Sequence, residues 1–176
     1  VPGGPRVWRN DGGRFREVTA SVGLPDAMLN PRDLSWVDFD NDGDLDLHVV
    51  DQGTSEQPNA PDALFRNDGG AFVDVAAAEG ALGGTDGMGD GAVWGDVDRD
   101  LDLDVFVAQG AGPRALGGYG PSLFLRNDGG GSSVVLDLVG SLSGPAPIGA
   151  KVTARIGSRT LVRWLAANSW RGFADP

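Results

Sequence analysis

Leu64-Phe65-Arg66-Asn67-Asp68-Gly69-Gly70-Ala71-Phe72-Val73-Asp74-Val75-Ala76-Ala77 repeats a stretch near the start of the chain, Val7-Trp8-Arg9-Asn10-Asp11-Gly12-Gly13-Arg14-Phe15-Arg16-Glu17-Val18-Thr19-Ala20. A partial third copy is Leu123-Phe124-Leu125-Arg126-Asn127-Asp128-Gly129-Gly130, so the Arg-Asn-Asp-Gly-Gly core begins at 9, 66 and 126. A second motif interleaves with the first. Ser35-Trp36-Val37-Asp38-Phe39-Asp40-Asn41-Asp42 returns 58 residues later as Val93-Trp94-Gly95-Asp96-Val97-Asp98-Arg99-Asp100. Two independent motifs recurring at a matching period mark a repeat architecture.

Each unit reads as four short strands. The first ends at the Trp, near 33–37 and 91–95, and an Asp-rich loop follows. The second is apolar and β-branched, Leu45–Val50 or Leu103–Ala108. The third lies near 62–66 and 122–126, and the fourth near 71–75. Asn-Asp-Gly-Gly between them suits a tight hairpin, because Asn and Gly tolerate positive φ. Four strands per repeat fit a β-propeller blade, and such propellers close with about 4–8 blades. The chain holds the outer half of one blade, one whole blade and most of another. It is therefore expected to be the C-terminal end of a larger propeller, or else to assemble with other copies. It starts with Val rather than Met, which fits a piece of a longer protein.

The loop Asp38-Phe39-Asp40-Asn41-Asp42-Gly43-Asp44-Leu45-Asp46 carries the chemistry. Ca²⁺ takes about 6–8 oxygens. Asp38, Asp40, Asp42 and Asp46 stand at loop positions 1, 3, 5 and 9, where a loop folded back on itself aims them at one point. Asp44, at position 7, offers its backbone carbonyl, and Gly43 allows the sharp turn. Mg²⁺ keeps its waters and demands octahedral geometry. Zn²⁺ prefers His and Cys, and the chain has one His and no Cys. The bland alternative is a solvated acidic turn, against which the spacing argues. Asp96, Asp98, Asp100, Asp102 and Asp104 keep the same spacing, with Leu101 in place of the Gly. This second loop is expected to bind more weakly than the first; its alternative is a decayed loop.

Composition agrees. The acids are 22 Asp and only 3 Glu, and the net charge is −11. Short carboxylates serve turns and metals; the negative surface argues against nucleic acid and anionic membranes as partners. No apolar run is long enough to span a bilayer, so no membrane insertion is expected. Residues 1–128 carry net −14 and residues 129–176 net +3, which places a boundary near 127–131. Beyond it, Val134, Leu136 and Leu138 alternate, as do Val152, Ala154 and Ile156; Gly157-Ser158 turns into Thr160–Leu165. A small, separate, sandwich-like β unit is expected over 131–176, after blades over 1–130.

Trp-x-Asp-x-Asp-x-Asp-Gly-x-x-Asp followed by an apolar strand resembles the FG-GAP/VCBS repeat of integrin-like β-propellers. Leu136-Asp137-Leu138-Val139-Gly140, Ile148-Gly149-Ala150-Lys151-Val152 and Ala174-Asp175-Pro176 resemble the ASPIC/UnbV domain. That pairing resembles cartilage acidic protein-like proteins and their bacterial relatives. It implies calcium that stabilises blades, a secreted, surface or periplasmic location, and no known reaction.

Other residues read as structure. His48 alone cannot serve a Ser/His/Asp set. Trp36 and Trp94 recur as blade packing, and Trp8 aligns with Phe65 and Phe124. Trp164 and the stretch Trp170-Arg171-Gly172-Phe173 are expected to cover the small β unit, the alternative for the latter being an exposed recognition stretch. Arg155, Arg159 and Arg163 form a basic stripe that could dock on the acidic blades or on an anionic partner. Together these features predict an all-β, calcium-binding adhesion or binding module with a protein or carbohydrate ligand, not an enzyme. A lectin-like binder and an accessory part of a carbohydrate-active or biosynthetic enzyme are the alternatives.

Overall fold

In the computed structural model, described residues are 4–28, 30–54, 56–57, 60–81, 83, 88–110, 120–129, 136, 138 and 148–164. They form antiparallel strands with a single short 3-10 turn, Ala20–Val22, and no helix long and apolar enough to cross a membrane. The strands are β1 (Trp8–Asp11), β2 (Arg14–Glu17), β3 (Pro31–Val37), β4 (Asp46–Asp51), β5 (Ala63–Asn67), β6 (Phe72–Asp74), β7 (Met88–Gly95), β8 (Asp104–Gly110), β9 (Leu123–Leu125), β10 (Lys151–Ile156) and β11 (Arg159–Trp164). Their sheets run β1-β2, β3-β4-β5-β6, β7-β8-β9 and β10-β11. The expected four-stranded blade is thus β3–β6, and the next blade shows three strands among the described residues. No fourth strand joins that sheet among the described residues, and Val134 and Trp170–Phe173 lie outside them.

Alternation along each strand gives a blade two apolar faces, and the blades stack through them. One face of β3–β6 presents Leu47, Val49, Ala63 and Phe65 to Leu24, Val7, Val22 and Met28 of the N-terminal segment. The other presents Val37, Val50 and Leu64 to Ala92, Trp94, Val105, Val107, Leu123 and Leu125 of β7–β9. His48 lies in this second interface, its ring edge-on to Trp94 at 5.3 Å between centroids. The lone histidine is a packed side chain between sheets. The blades are also sewn together at their edges: Ala92 N–H donates to Asp33 Oδ2 at 2.9 Å, and Gln52 Nε2 donates to Asp90 Oδ1 at 2.9 Å.

Register corrects one alignment. His48 pairs with Leu64 and Phe106 with Phe124, whereas Leu47 pairs with Phe65 and Val105 with Leu125. Leu125, not Phe124, therefore takes the place of Phe65; the third copy carries one extra residue before its Arg. Phe124 points to the outer face and is exposed, as is Trp8 on the far side of β1. Trp8 is thus not packed as its repeat partner Phe65 is. No preceding sheet covers its face among the described residues.

Asp62 is buried just before β5. Its Oδ1 accepts from Asp51 N–H at 2.9 Å, and burial pushes its carboxyl up to about 6. An acid whose folded-state pKa is raised takes up protons on folding, so its contribution to stability falls as pH rises from about 4 to 6 and is flat above. In EDTA, Asp62→Asn is expected to remove about 1–2 kcal/mol of that fall relative to the parent. Urea unfolding of both proteins between pH 4 and 7 measures it; parallel curves would show Asp62 already ionised at low pH.

Candidate metal centre

The first Asp loop joins β3 to β4 and the second joins β7 to β8, each between the Trp strand and the most buried strand of its blade. Three hydrogen bonds recur in both loops. In the first, the first Asp accepts from the position-6 amide: Gly43 N–H donates to Asp38 Oδ1 at 3.1 Å. Asp42 N–H donates to Asp40 Oδ1 at 3.2 Å, and Asp44 N–H to Asp42 Oδ1 at 2.7 Å. In the second, Leu101 N–H donates to Asp96 Oδ2 at 3.2 Å, Asp100 N–H to Asp98 Oδ1 at 3.3 Å, and Asp102 N–H to Asp100 Oδ1 at 3.0 Å. Each carboxylate reaches back two residues to the backbone, which is the local bonding that favours Asp over Glu here.

These turns converge the acids. One oxygen each of Asp38, Asp40 and Asp42 lie within 4.8 Å of one another, as do oxygens of Asp96, Asp98 and Asp104, and of Asp98, Asp100 and Asp128. Asp128, from the turn after β9, falls outside the Asp-loop spacing; its recurring Arg-Asn-Asp-Gly-Gly context is the sequence signal for it.

The position-9 acids brace the loops. Asp46 Oδ2 accepts from Phe39 N–H at 3.0 Å and Oδ1 from Asn67 N–H at 2.8 Å. Asp104 repeats both bonds, with Val97 N–H at 2.9 Å and Asn127 N–H at 2.9 Å. Each therefore ties its loop to the third strand of its blade while staying fully buried. Burial pushes the Asp46 carboxyl up to about 7, against the pull of its two amide bonds and with Asp40 and Asp38 adding like charge. Asp40 is raised as well, by burial and then by Asp42. A cation among these groups would reverse both shifts.

Asp44, Asp46 and Asp102 stand apart from the three groupings. Asp102 instead accepts from Asn41 Nδ2 of the first loop at 2.7 Å, and Asn41 Nδ2 also reaches the Leu101 carbonyl at 3.3 Å. Asn127 Nδ2 donates across to the Phe39 carbonyl at 2.8 Å. The two loops are therefore physically joined, a feature that no single-loop motif encodes.

The loops differ at two backbone positions. Asn41 and Gly43 have φ of 57° and 91°; their counterparts Arg99 and Leu101 have φ of 70° and 75°. The second loop adopts the same turn at a cost of about 1–2 kcal/mol for a side chain at positive φ. Leu101→Gly is expected to raise metal-free stability by about 0.5–1 kcal/mol, net of glycine's backbone entropy. It should also tighten cation binding at that loop. Denaturant unfolding in EDTA checks the first; a loss of stability would mean that the Leu101 side chain contributes more by packing than its backbone costs.

A family model described as the FG-GAP-like repeat matches residues 2–49 and again residues 38–107. No curated protein matches the chain.

Proposed function

The chain belongs to the FG-GAP-like repeat family, and from that premise we propose that it is a calcium-stabilised binding module, without catalytic activity of its own, working outside the cytoplasm. The observation that carries this reading is the repetition of one hydrogen-bonded Asp turn. Two loops 58 residues apart share three recurring hydrogen bonds, and each gathers at least three Asp oxygens. Asp38, Asp40, Asp42 and Asp46 would hold one ion, with the Asp44 carbonyl; Asp96, Asp98, Asp100 and Asp104 would hold the other, with the Asp102 carbonyl. Oxygen-only donors on flexible turns fit Ca²⁺ better than Mg²⁺ or Zn²⁺. Calcium would neutralise the Asp clusters and pin each loop between its strands.

An extracellular setting is part of this reading. Such sites commonly bind at about 10⁻⁴–10⁻³ M, which cytosolic calcium would not fill. Further blades of a longer propeller are the expected neighbours. Val93, Phe106 and Phe124 lie in one exposed row across β7–β9. They correspond to Ser35, His48 and Leu64, the buried row that the next blade covers in β3–β6. The hairpin β10–β11, with Gly157-Ser158 at its turn, is read as part of an ASPIC/UnbV-like unit over 131–176.

Calorimetric titration tests the core of the reading. Two calcium ions per chain are expected, with the first loop tighter, and Asp40→Ala or Asp98→Ala each removing one. Absence of calcium uptake at millimolar concentration overturns it. A glycan array with and without calcium then separates a carbohydrate ligand from a protein ligand.

A further inference from the structure

The Asp38 carboxylate is 1% exposed, yet it meets a cation from far along the chain. Arg163, on β11, donates from Nη2 to Asp38 Oδ2 at 2.9 Å and reaches the Gly43 carbonyl at 3.4 Å. The two residues are 125 apart in sequence. With Gly43 N–H already on Oδ1, both oxygens of the first loop Asp are engaged, one by backbone and one by a guanidinium. The second loop is built differently. Asp96 receives Arg99 N–H at 2.6 Å and Leu101 N–H at 3.2 Å, both from its own turn.

We propose that Arg163 is a tethered cation that competes with the metal for the first loop, so that calcium binding there and docking of the β10–β11 hairpin oppose each other. This rests on the calcium reading above. A guanidinium seated on a ligand carboxylate supplies part of the charge compensation that the Asp cluster needs without metal. A divalent ion among Asp38, Asp40 and Asp42 places like charge beside the guanidinium in a site where Asp38 is shut off from water. Repulsion then favours undocking, and by linkage the docked hairpin lowers calcium affinity by the same factor. The first loop thereby becomes sensitive to the C-terminal hairpin.

The full chain carrying Asp98→Ala, which silences the second loop, is compared with the same chain carrying Arg163→Gln. Calcium affinity is read by calorimetry, and amide hydrogen exchange is followed over residues 151–163. Arg163→Gln is expected to tighten calcium by about fivefold or more, the lower end of typical coupling between sites. Arg163→Lys, which keeps the charge, should fall between the two. Calcium should speed exchange of the hairpin in the parent and leave it unchanged in Arg163→Gln. Equal or weaker calcium binding in Arg163→Gln overturns the competition alone, as does calcium that slows hairpin exchange. Failure of all these chains to take up calcium overturns the calcium reading and this inference with it.

Discussion

In 10 mM calcium the chain is expected to melt about 5–10 °C higher than in EDTA, from one site at the affinity usual outside cells. An ion that binds only the folded chain stabilises it by RT ln(1 + [L]/Kd), or about 2.7 kcal/mol at a hundredfold excess over Kd. For a chain of this size each kcal/mol moves the midpoint by about 2–4 °C. A second occupied loop adds to the shift. The mutational counterpart changes sign with the metal. With calcium present, Asp40→Ala should forfeit the first loop's share of the gain. In EDTA it should be neutral or mildly stabilising, because Asp40 is then a partly buried carboxylate beside Asp42 and is raised by both. The calcium-dependent shift should also grow from pH 6 to pH 8. Asp46 holds a proton up to about 7 in the metal-free loop, and calcium must displace it. Scanning fluorimetry at both pH values, with magnesium as the control cation, reads all three effects. Equal melting in calcium and EDTA would remove the basis for calling these loops metal centres.

The repeat made most of this architecture readable. The recurrence of Trp36 and Trp94 with their Asp loops fixed where strands begin and end, because a packed Trp, a carboxylate turn and an apolar run impose the same local structure twice. The boundaries held to within a few residues; β7, however, begins at Met88, several residues before the expected start near 91. The Asp spacing likewise made the convergence of Asp38, Asp40 and Asp42 legible, since each carboxylate is placed by its own backbone. Contacts between repeats were not legible. Nothing in the first loop says that Asn41 reaches Asp102, or that Asn127 reaches back to Phe39. Those bonds exist because two stacked sheets bring their loops side by side. Arg163 was visible only as part of a basic stripe with two possible destinations. Its seat on Asp38 is decided by tertiary placement. Phe124 was misaligned for a related reason: a one-residue insertion flips a side chain to the opposite face of a strand, and motif similarity is blind to faces.

Faces also decide the largest single-residue effect expected. Trp36 and Trp94 are equivalent in the repeat and unequal in the fold. Trp94 is 6% exposed, lies edge-on to His48, and belongs to the cluster with Val37, Val50, Leu64 and Val107. Trp36 is 48% exposed and meets the Phe72 ring at 6.0 Å between centroids. The same face of each blade is involved; the difference is what lies against it. A complete sheet covers Trp94, whereas only a two-stranded hairpin and its following turn lie on Trp36's side. Truncating a buried Trp removes its transfer energy and leaves a cavity, so Trp94→Ala is expected to cost about 3–5 kcal/mol. Trp36→Ala should cost about 1–2 kcal/mol, in proportion to the smaller apolar area it hides. Chemical denaturation of the two variants in saturating calcium measures the difference without disturbing the metal loops. Strands that complete the β1–β2 blade over Trp36 in a longer chain would raise the Trp36 cost and leave that of Trp94 unchanged, so repeating the pair in such a chain reports directly on the stack. Equal costs in the present chain would mean that β7–β9 does not pack through Trp94, and the blade order drawn from the register would be wrong.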